Sequence, residues 1–344
     1  MKKKFNRYIL ISILILVLVG IGIFGNHFSN SNSNLIHIFH QPDSYSRRYG
    51  YFTANICGTI DQHVEKVQYR LNDGQWQDLT QAGPRVPPPL FTLELRDKYL
   101  ETGKNFVNLK AIPYSGSTSE LNLVFDYDPT PIKLPIIQNW SDVDLDVQDG
   151  HWETFIKDGE WRVRPKIGSE DYDRVLAVSG AFAGGRRIET DLIFHVNKGD
   201  PYGFGVLPLW GGRPDDDGVL PSRGWNFSLV WYYSHYNGIG MEFSYKYGEN
   251  SPAWVSAYRN IQIVPEVKYT LIIECWPEAG SDGKHICYKQ RMKWFRSGET
   301  DNFDWLKLSD IEGSPLPESE YAVALVAHRT QVSYGPVKIT KLEK

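Results

Sequence analysis

Cysteine is scarce in this chain. There are three in 344 residues, Cys57, Cys275 and Cys287, an odd number that cannot form a complete set of disulfides. No CxxC or Cys/His spacing offers zinc its ligands. Positive charge is not in surplus either: the formal net charge is -4 and no long Lys/Arg run follows the first residues, so nothing supplies the field that holds phosphates. Nucleic acid is therefore not an expected partner. Beyond the N-terminal segment no helical period of useful length occurs, which excludes a helical architecture. His151, His195, His235, His285 and His328 lack the pair spacing of a metal helix or a nucleophile relay.

What is abundant is aromatic: 14% of the chain, with 11 Trp and 20 Tyr, a composition that suits β-sheets and also surfaces that stack on flat ligands. The length favours two cores over one. At the start, residues 1–7 are a basic segment, and Lys2, Lys3, Lys4 and Arg7 precede an uncharged apolar run from Tyr8 to Gly25. That run approaches the roughly 20 residues of a membrane helix, and the basic end belongs on the cytoplasmic side. The same pattern also describes a secretory signal, so the expectation is either an uncleaved single-pass anchor or a secreted chain, with everything after it outside the cytoplasm. Residues 26–44 read as a flexible spacer.

From 45 to 128 short runs alternate apolar and polar residues: YFTANICGTI, VEKVQYRL, FTLELR, NFVNLKAI and ELNLVFDY. The turn Asn72-Asp73-Gly74-Gln75 fits a tight hairpin, because Asp and Gly tolerate positive φ. Residues 129–139, with Pro129, Pro131 and Pro135, read as a semi-rigid linker. From 140 to 344 the strands are longer and richer in Trp, among them RRIETDLIFHV, YGFGVLPLW, GWNFSLVWYYS, GIGMEFSYKY, KYTLIIECW, HICYKQRMKWF, YAVALVAHR and PVKITKL, enough for two packed antiparallel sheets.

Two resemblances follow from these phrases. V-x-K-V-x-Y-R-L-N-D-G-x-W at Val64 to Trp76, with the later FTLEL and YLETGKNFVNLKAI, resembles bacterial immunoglobulin-like or fibronectin-like domains, which implies a supporting spacer. YDRVLAVSGAFAGGRRIETDLIFH, the hairpin YTLIIECW to ICYKQRMKWF, and VALVAHRTQVSYGPVKIT resemble the concanavalin A-like, laminin G-like lectin and glucanase domains over nearly the whole second region. The fold class expected is thus all-β: an immunoglobulin-like sandwich, then a concanavalin A-like two-sheet jelly roll, after an N-terminal transmembrane helix. Members of that second family include sugar binders, hydrolases, lyases and adhesive modules, so fold alone does not choose among them.

Strand alternation sorts candidate site residues by face. With Trp225, Phe227, Leu229, Trp231 and Tyr233 taken as core, Asn226, Ser228 and Tyr232 fall opposite; on the next strand the polar set is Glu242, Ser244 and Lys246. These residues form either a sugar-binding groove or a plain solvated face. Trp210, beside Gly211 and Gly212, and Trp254, after Pro252, read as loop-edge rings within reach of a ligand. The carbohydrate-binding candidates are therefore Asn226, Ser228, Tyr232, Lys246, Trp210 and Trp254, and the expected partner is an external glycan.

Glu189 and Asp191 share one strand face, and they match the first two positions of the E-x-D-x-x-E of the family's retaining glucanases, while Phe194 holds the third. Catalysis, which needs two flanking carboxyls, would have to recruit Glu242. Arg213-Pro214-Asp215-Asp216-Asp217-Gly218 is either a calcium loop using Asp215 and Asp217 or a solvated acidic turn; calcium is frequent in the family it resembles. Cys275 and Cys287 flank Ser281 evenly, so a hairpin there either brings them together as a disulfide or packs them as small apolar residues. Three functional classes stay open: a tethered glycan binder, a glycoside hydrolase or lyase, and an adhesive module that binds protein.

Overall fold

The computed structural model describes residues 35–344 apart from 82–88, 142, 171–172, 216–217, 236–237, 248–253, 260–261, 280–285, 301–303, 308–319 and 343–344. Within some strands only the backbone is described, as at Glu242, Lys246, Trp254 and Cys287. The apolar run Tyr8 to Gly25 lies outside the described residues. Among the described residues no helix is long and apolar enough to cross a membrane, and one 3-10 turn at Asp97–Tyr99 interrupts an otherwise all-β chain.

The first eight strands are β1 (Ile36–His40), β2 (Ser44–Ser46), β3 (Thr53–Ile60), β4 (Val64–Leu71), β5 (Gln77–Asp78), β6 (Leu90–Arg96), β7 (Gly103–Pro113) and β8 (Ser119–Asp128). They make a three-stranded sheet, β1-β3-β6, and a five-stranded sheet, β2-β8-β7-β4-β5, in which β2 and β8 run parallel. Alternation produces this: Ile56, Leu93, Val107, Leu109 and Phe125 are buried while the residues between many of them face water. A turn forms at Asn72 to Gln75, with the Gly74 N–H donating to Leu71 O at 3.0 Å, but it leads into the short β5, and its positive φ is at Asn72, 49°, and not at Asp73 or Gly74. Part of the expected spacer is strand, since β1 falls inside it and pairs with β3.

The next strands are β9 (Ile136–Gln138), β10 (Asp146–Asp149), β11 (Trp152–Lys157), β12 (Glu160–Pro165), β13 (Asp173–Ala177), β14 (Arg186–Asn197), β15 (Gly203–Trp210) and β16 (Asn226–His235). After them come β17 (Gly238–Tyr247), β18 (Trp254–Arg259), β19 (Lys268–Ala279), β20 (Ile286–Arg296), β21 (Leu306–Lys307), β22 (Ala322–His328) and β23 (Thr330–Lys341). A seven-stranded sheet, β10-β13-β22-β15-β16-β17-β18, faces an eight-stranded one, β11-β12-β23-β14-β19-β20-β21. Leu176, Phe204, Val230 and Tyr232 from the first meet Ile188, Leu271, Ile273 and Ile339 from the second in one buried cluster. The expected linker is partly strand, because β9 adds to β23.

Ile36–Lys344 forms one compact unit, and bonds between the two sandwiches explain why. Phe52, fully buried, packs with Ala177, Leu207, Trp210, Phe227 and Leu229 on the outer side of the seven-stranded sheet. Gly212 has φ +83°, and a Cβ there would lie 1.8 Å from Tyr51 O, so only glycine permits the ladder contact Tyr51 makes with it. Asn55 Nδ2 donates to Gln148 O at 3.2 Å and Gln148 Nε2 donates to Thr53 O at 2.9 Å. Arg213, 5% exposed, bonds Glu94 at 2.6 Å and also Asp149. Burial alone would push the Arg213 guanidinium down, but Asp149 and Glu94 outweigh it and hold its pKa above the ordinary value.

Candidate functional site: an aromatic platform on the seven-stranded sheet

Two rows of residues run across the outer face of the seven-stranded sheet at the edge of the patch that Phe52 covers, and Val175 and Val326 of the second row belong to that patch. Ladder pairing aligns Asp173 with His328, His328 with Gly203, and Gly203 with Tyr233; one row in, Val175, Val326, Gly205 and Trp231 align in the same way. The missing side chains on β15 make room for rings. A Cβ at Gly203 would fall 2.7 Å from the Tyr233 ring and 2.9 Å from the Trp231 ring, and one at Gly205 would fall 2.5 Å from Trp231 Cβ. The Trp231 and Tyr233 rings accordingly lie side by side, centroids 4.3 Å apart and 11° from parallel, both half-buried. His328 stands 6.4 Å from the first ring and 6.3 Å from the second, and its Nδ1 is 2.6 Å from Asp173 Oδ1, which fixes the imidazole.

The result is a half-buried aromatic surface bordered by a histidine and a carboxylate. Such a surface can take the C–H face of a ring while polar neighbours bond its hydroxyls. Glu242 stands opposite Trp231 in the next ladder, from β17.

Most residues singled out from the sequence lie elsewhere. Asn226 and Ser228 are buried, and Ser228 Oγ accepts from the Gln290 amide between the sheets. Tyr232 is 3% exposed inside the core, where burial pushes its hydroxyl up to about 12. The expected parity is therefore inverted: Trp231 and Tyr233 face outward and Tyr232 inward. The inward side of β16 carries the buried polar Asn226 and Ser228 beside Val230 and Tyr232, whereas the outward side is aromatic and partly packed under Phe52, so hydrophobicity pointed to the wrong side as core. Trp210 is 1% exposed, sealed under the first sandwich, with its indole N–H donating to Gln148 Oε1 at 3.3 Å. Gly211-Gly212 beside it marks a domain contact and not a loop edge. For Lys246 and Trp254 the backbone pairs with Phe227 and Tyr245 respectively; their side chains lie outside the description.

The carboxylates proposed for hydrolysis are separated by the sandwich itself. Glu189 and Asp191 are on β14 of the eight-stranded sheet, whereas Glu242 is on β17 of the seven-stranded one. A glycosidic bond cannot be flanked from two sheets packed about 10 Å apart with a core between them. Both acids are also engaged: Glu189 with Arg187 at 2.6 Å, and Asp191 with the buried Arg162 at 2.6 Å. In the acidic loop Asp215 is placed by a backbone bond, its N–H to Arg223 O at 3.1 Å, while Asp216 and Asp217 lie outside the described residues. Among the described residues no three His, Cys, Asp or Glu side chains are arranged to hold a metal, so the donors described do not make a calcium cage.

The disulfide expectation is corrected by register. Cys275 pairs with Gln290 and Cys287 with Glu278, so the hairpin turns later than symmetry about Ser281 requires. Cys275 is a buried free thiol, pushed up to about 12 by burial.

The residues that do converge, Trp231, Tyr233, His328 and Asp173, were passed over in the sequence. The phrase Gly203-Phe204-Gly205 carried the available signal, because two glycines on one face of a strand leave a trough in which a neighbouring strand's rings can lie.

Neither a family model nor a curated protein matches the chain. Similar solved structures include a carbohydrate-binding module from Bacillus subtilis, at 16% identity and TM-score 0.34, covering 57% of this chain and 95% of that one. A legume lectin-like domain from Entamoeba histolytica is similar at 10% identity and TM-score 0.37, covering 57% and 90%. The Emp46p carbohydrate recognition domain is similar at 12% identity and TM-score 0.37, covering 56% and 89%. These neighbours are carbohydrate-binding modules and lectin-like domains, but likenesses this low carry no functional reading, which has to rest on the platform.

Proposed function

We propose that this protein binds carbohydrate on the outer face of its seven-stranded sheet. The stacked Trp231–Tyr233 pair carries the reading, since β15 gives up two side chains to lay these rings flat beside an Asp173-oriented histidine. In this reading the second sandwich is a concanavalin A-like jelly roll, and the first is an immunoglobulin-like support. Its buried contacts with the second make it a rigid base rather than a loose spacer. The basic start and the run Tyr8 to Gly25 support a location for both outside the cytoplasm, tethered if that run is retained and secreted if it is removed.

A glycan array and an insoluble-polysaccharide pull-down on the full-length chain, scored for binding and for release of reducing ends, test this. Binding without release that is lost in Trp231→Ala is the expected result. No binding to any glycan, or turnover of a bound one, overturns it.

A further inference from the structure

The first sandwich keeps one sheet edge open. β8 runs against β7 from Ser119 to Tyr127, but on its other side β2 pairs only with Asp126, Tyr127 and Asp128. From Ser119 to Phe125 no strand covers that side among the described residues. Two neighbouring bonds show which backbone groups face it. The Asp126 N–H donates to Asp43 O at 2.9 Å, and Val124 O accepts from Gln41 Nε2 at 2.7 Å. Alternate residues of a strand turn their backbone groups to the same side, so those of Glu120, Asn122 and Val124 all point away from β7. These three residues are exposed, and among the described residues only the Gln41 amide bonds any of those groups.

The other edges of this sandwich are blunted. β1 is broken by a register shift between Ile38 and His40, and β5 is two residues long. On β6 the Gln81 side chain stands in for a strand, accepting from the Thr92 N–H at 3.0 Å. Ser119–Phe125 has none of these devices. It contains no Lys, Pro or Gly and keeps an unbroken register with β7, so it offers an uninterrupted row of groups of the kind that templates another strand.

The strand that fits it is a second copy of itself. The open stretch ends at β2 on one side and at the start of β8 on the other, with Asn122 in the middle. Laid antiparallel with Asn122 facing Asn122 of a second copy, Glu120 faces Val124 and every open group is used, in about six hydrogen bonds. Shifting by two residues one way sets Glu120 against Asp126, two carboxylates face to face; shifting the other way runs Val124 past the end of the strand at Ser119. The central register opposes no like charges, and Glu120 keeps its own Lys110 at 3.0 Å. On the inner side it sets Leu121 against Leu123, so half-buried leucines from both copies close over the joint.

We propose that this protein self-associates through β8, two copies joining antiparallel about Asn122 so that their five-stranded sheets become one. The contact is a two-fold one, in which a single patch meets itself. It is also short, well under the roughly 800 Å² per partner of a standard interface, so the dimer is weak, with a dissociation constant of about 10–100 µM. Neither Trp231 nor Tyr233 takes part, and the proposal does not rest on glycan binding.

Sedimentation equilibrium of the full-length protein in density-matched detergent, from about 1 µM to about 500 µM, tests the joint. The wild type should pass from monomer to dimer. Asn122→Pro removes an N–H that points away from β7, sparing the β7 ladder, and should dimerise at least about tenfold more weakly. Cysteine placement tests the register. Facing Cα atoms of a hydrogen-bonded pair lie about 5.5 Å apart, within disulfide reach, so Asn122→Cys should give a covalent dimer on mild oxidation. Glu120→Cys, about 14 Å from its counterpart along the strands, should not exceed the wild-type background set by Cys57, Cys275 and Cys287. Every variant keeps the run Tyr8 to Gly25, so association through that run is common to all. A wild type that stays monomeric, or association unchanged in Asn122→Pro, overturns the joint. Cross-linking of Glu120→Cys as readily as Asn122→Cys overturns the register. Should Asn122→Pro fail to fold, Asn122→Cys cross-linking no more than wild type overturns the proposal by itself.

Discussion

The two outer faces of the second sandwich differ sharply. On the seven-stranded sheet the outer face is apolar, part of it packed under Phe52 and part carrying the half-buried Trp231–Tyr233 rings. On the eight-stranded sheet the outer face is an ion-pair ladder: Arg291 to Glu274 at 2.6 Å, Glu274 to Arg187 at 2.9 Å, and Arg187 to Glu189 at 2.6 Å, with the Arg291 guanidinium 4.2 Å over the Trp305 ring. A charge ladder satisfies itself and leaves little for a ligand. An aromatic trough beside two glycines offers stacking surface instead.

That contrast can be broken at several points. The largest effect is expected where the first sandwich seals the apolar face. Arg213→Ala leaves Glu94 and Asp149 without their buried partner and should cost about 3–5 kcal/mol, read as a lower urea midpoint for the whole Ile36–Lys344 unit. A loss confined to the second sandwich would show that the junction is not shared.

Acid should loosen the same seal. His40 accepts from the Val147 N–H at 3.1 Å, and burial, then His151 and Arg48, lowers its pKa to about 3. The folded state therefore holds His40 neutral while the unfolded chain protonates near 6.5, so its contribution is complete above about 6.5 and is lost as pH falls toward 3. His40→Gln, whose amide oxygen can accept the same N–H, should flatten the fall in thermal midpoint over that window. An unchanged slope would assign the acid sensitivity to other groups.

Smaller effects sharpen the comparison at the platform. Gly203→Ala puts a methyl where both rings lie and should weaken glycan binding about fivefold in a pull-down titration while leaving the β15 ladder intact. At the opposite face, Glu189→Gln removes one partly exposed ion pair. It should cost less than about 1 kcal/mol by urea unfolding and leave glycan binding unchanged.

Much of the fold could be read from alternation. The five phrases from YFTANICGTI to ELNLVFDY emerged as β3, β4, β6, β7 and β8, with the two-residue β5 missed, and eight phrases of the second region emerged as strands, because antiparallel sheets with one wet face write their period into the sequence. The binding face was harder. On β16 the inward parity holds the buried polar Asn226 and Ser228 while the outward parity is the more apolar one, covered in part by Phe52, and choosing Trp231 as core sent Tyr232 to the wrong side. Trp210-Gly211-Gly212 looked like an exposed loop because the partner, Tyr51, is about 160 residues away in sequence, beyond any local signal. The hairpin carrying Cys275 and Cys287 formed as expected, and register alone kept the two cysteines from facing each other.

The most direct measurement compares Trp231→Ala with Glu189→Gln, side by side, for affinity to the best glycan from the screen. Binding on the aromatic face predicts about a tenfold loss in Trp231→Ala and none in Glu189→Gln. Equal affinities, or a loss only in Glu189→Gln, would contradict it.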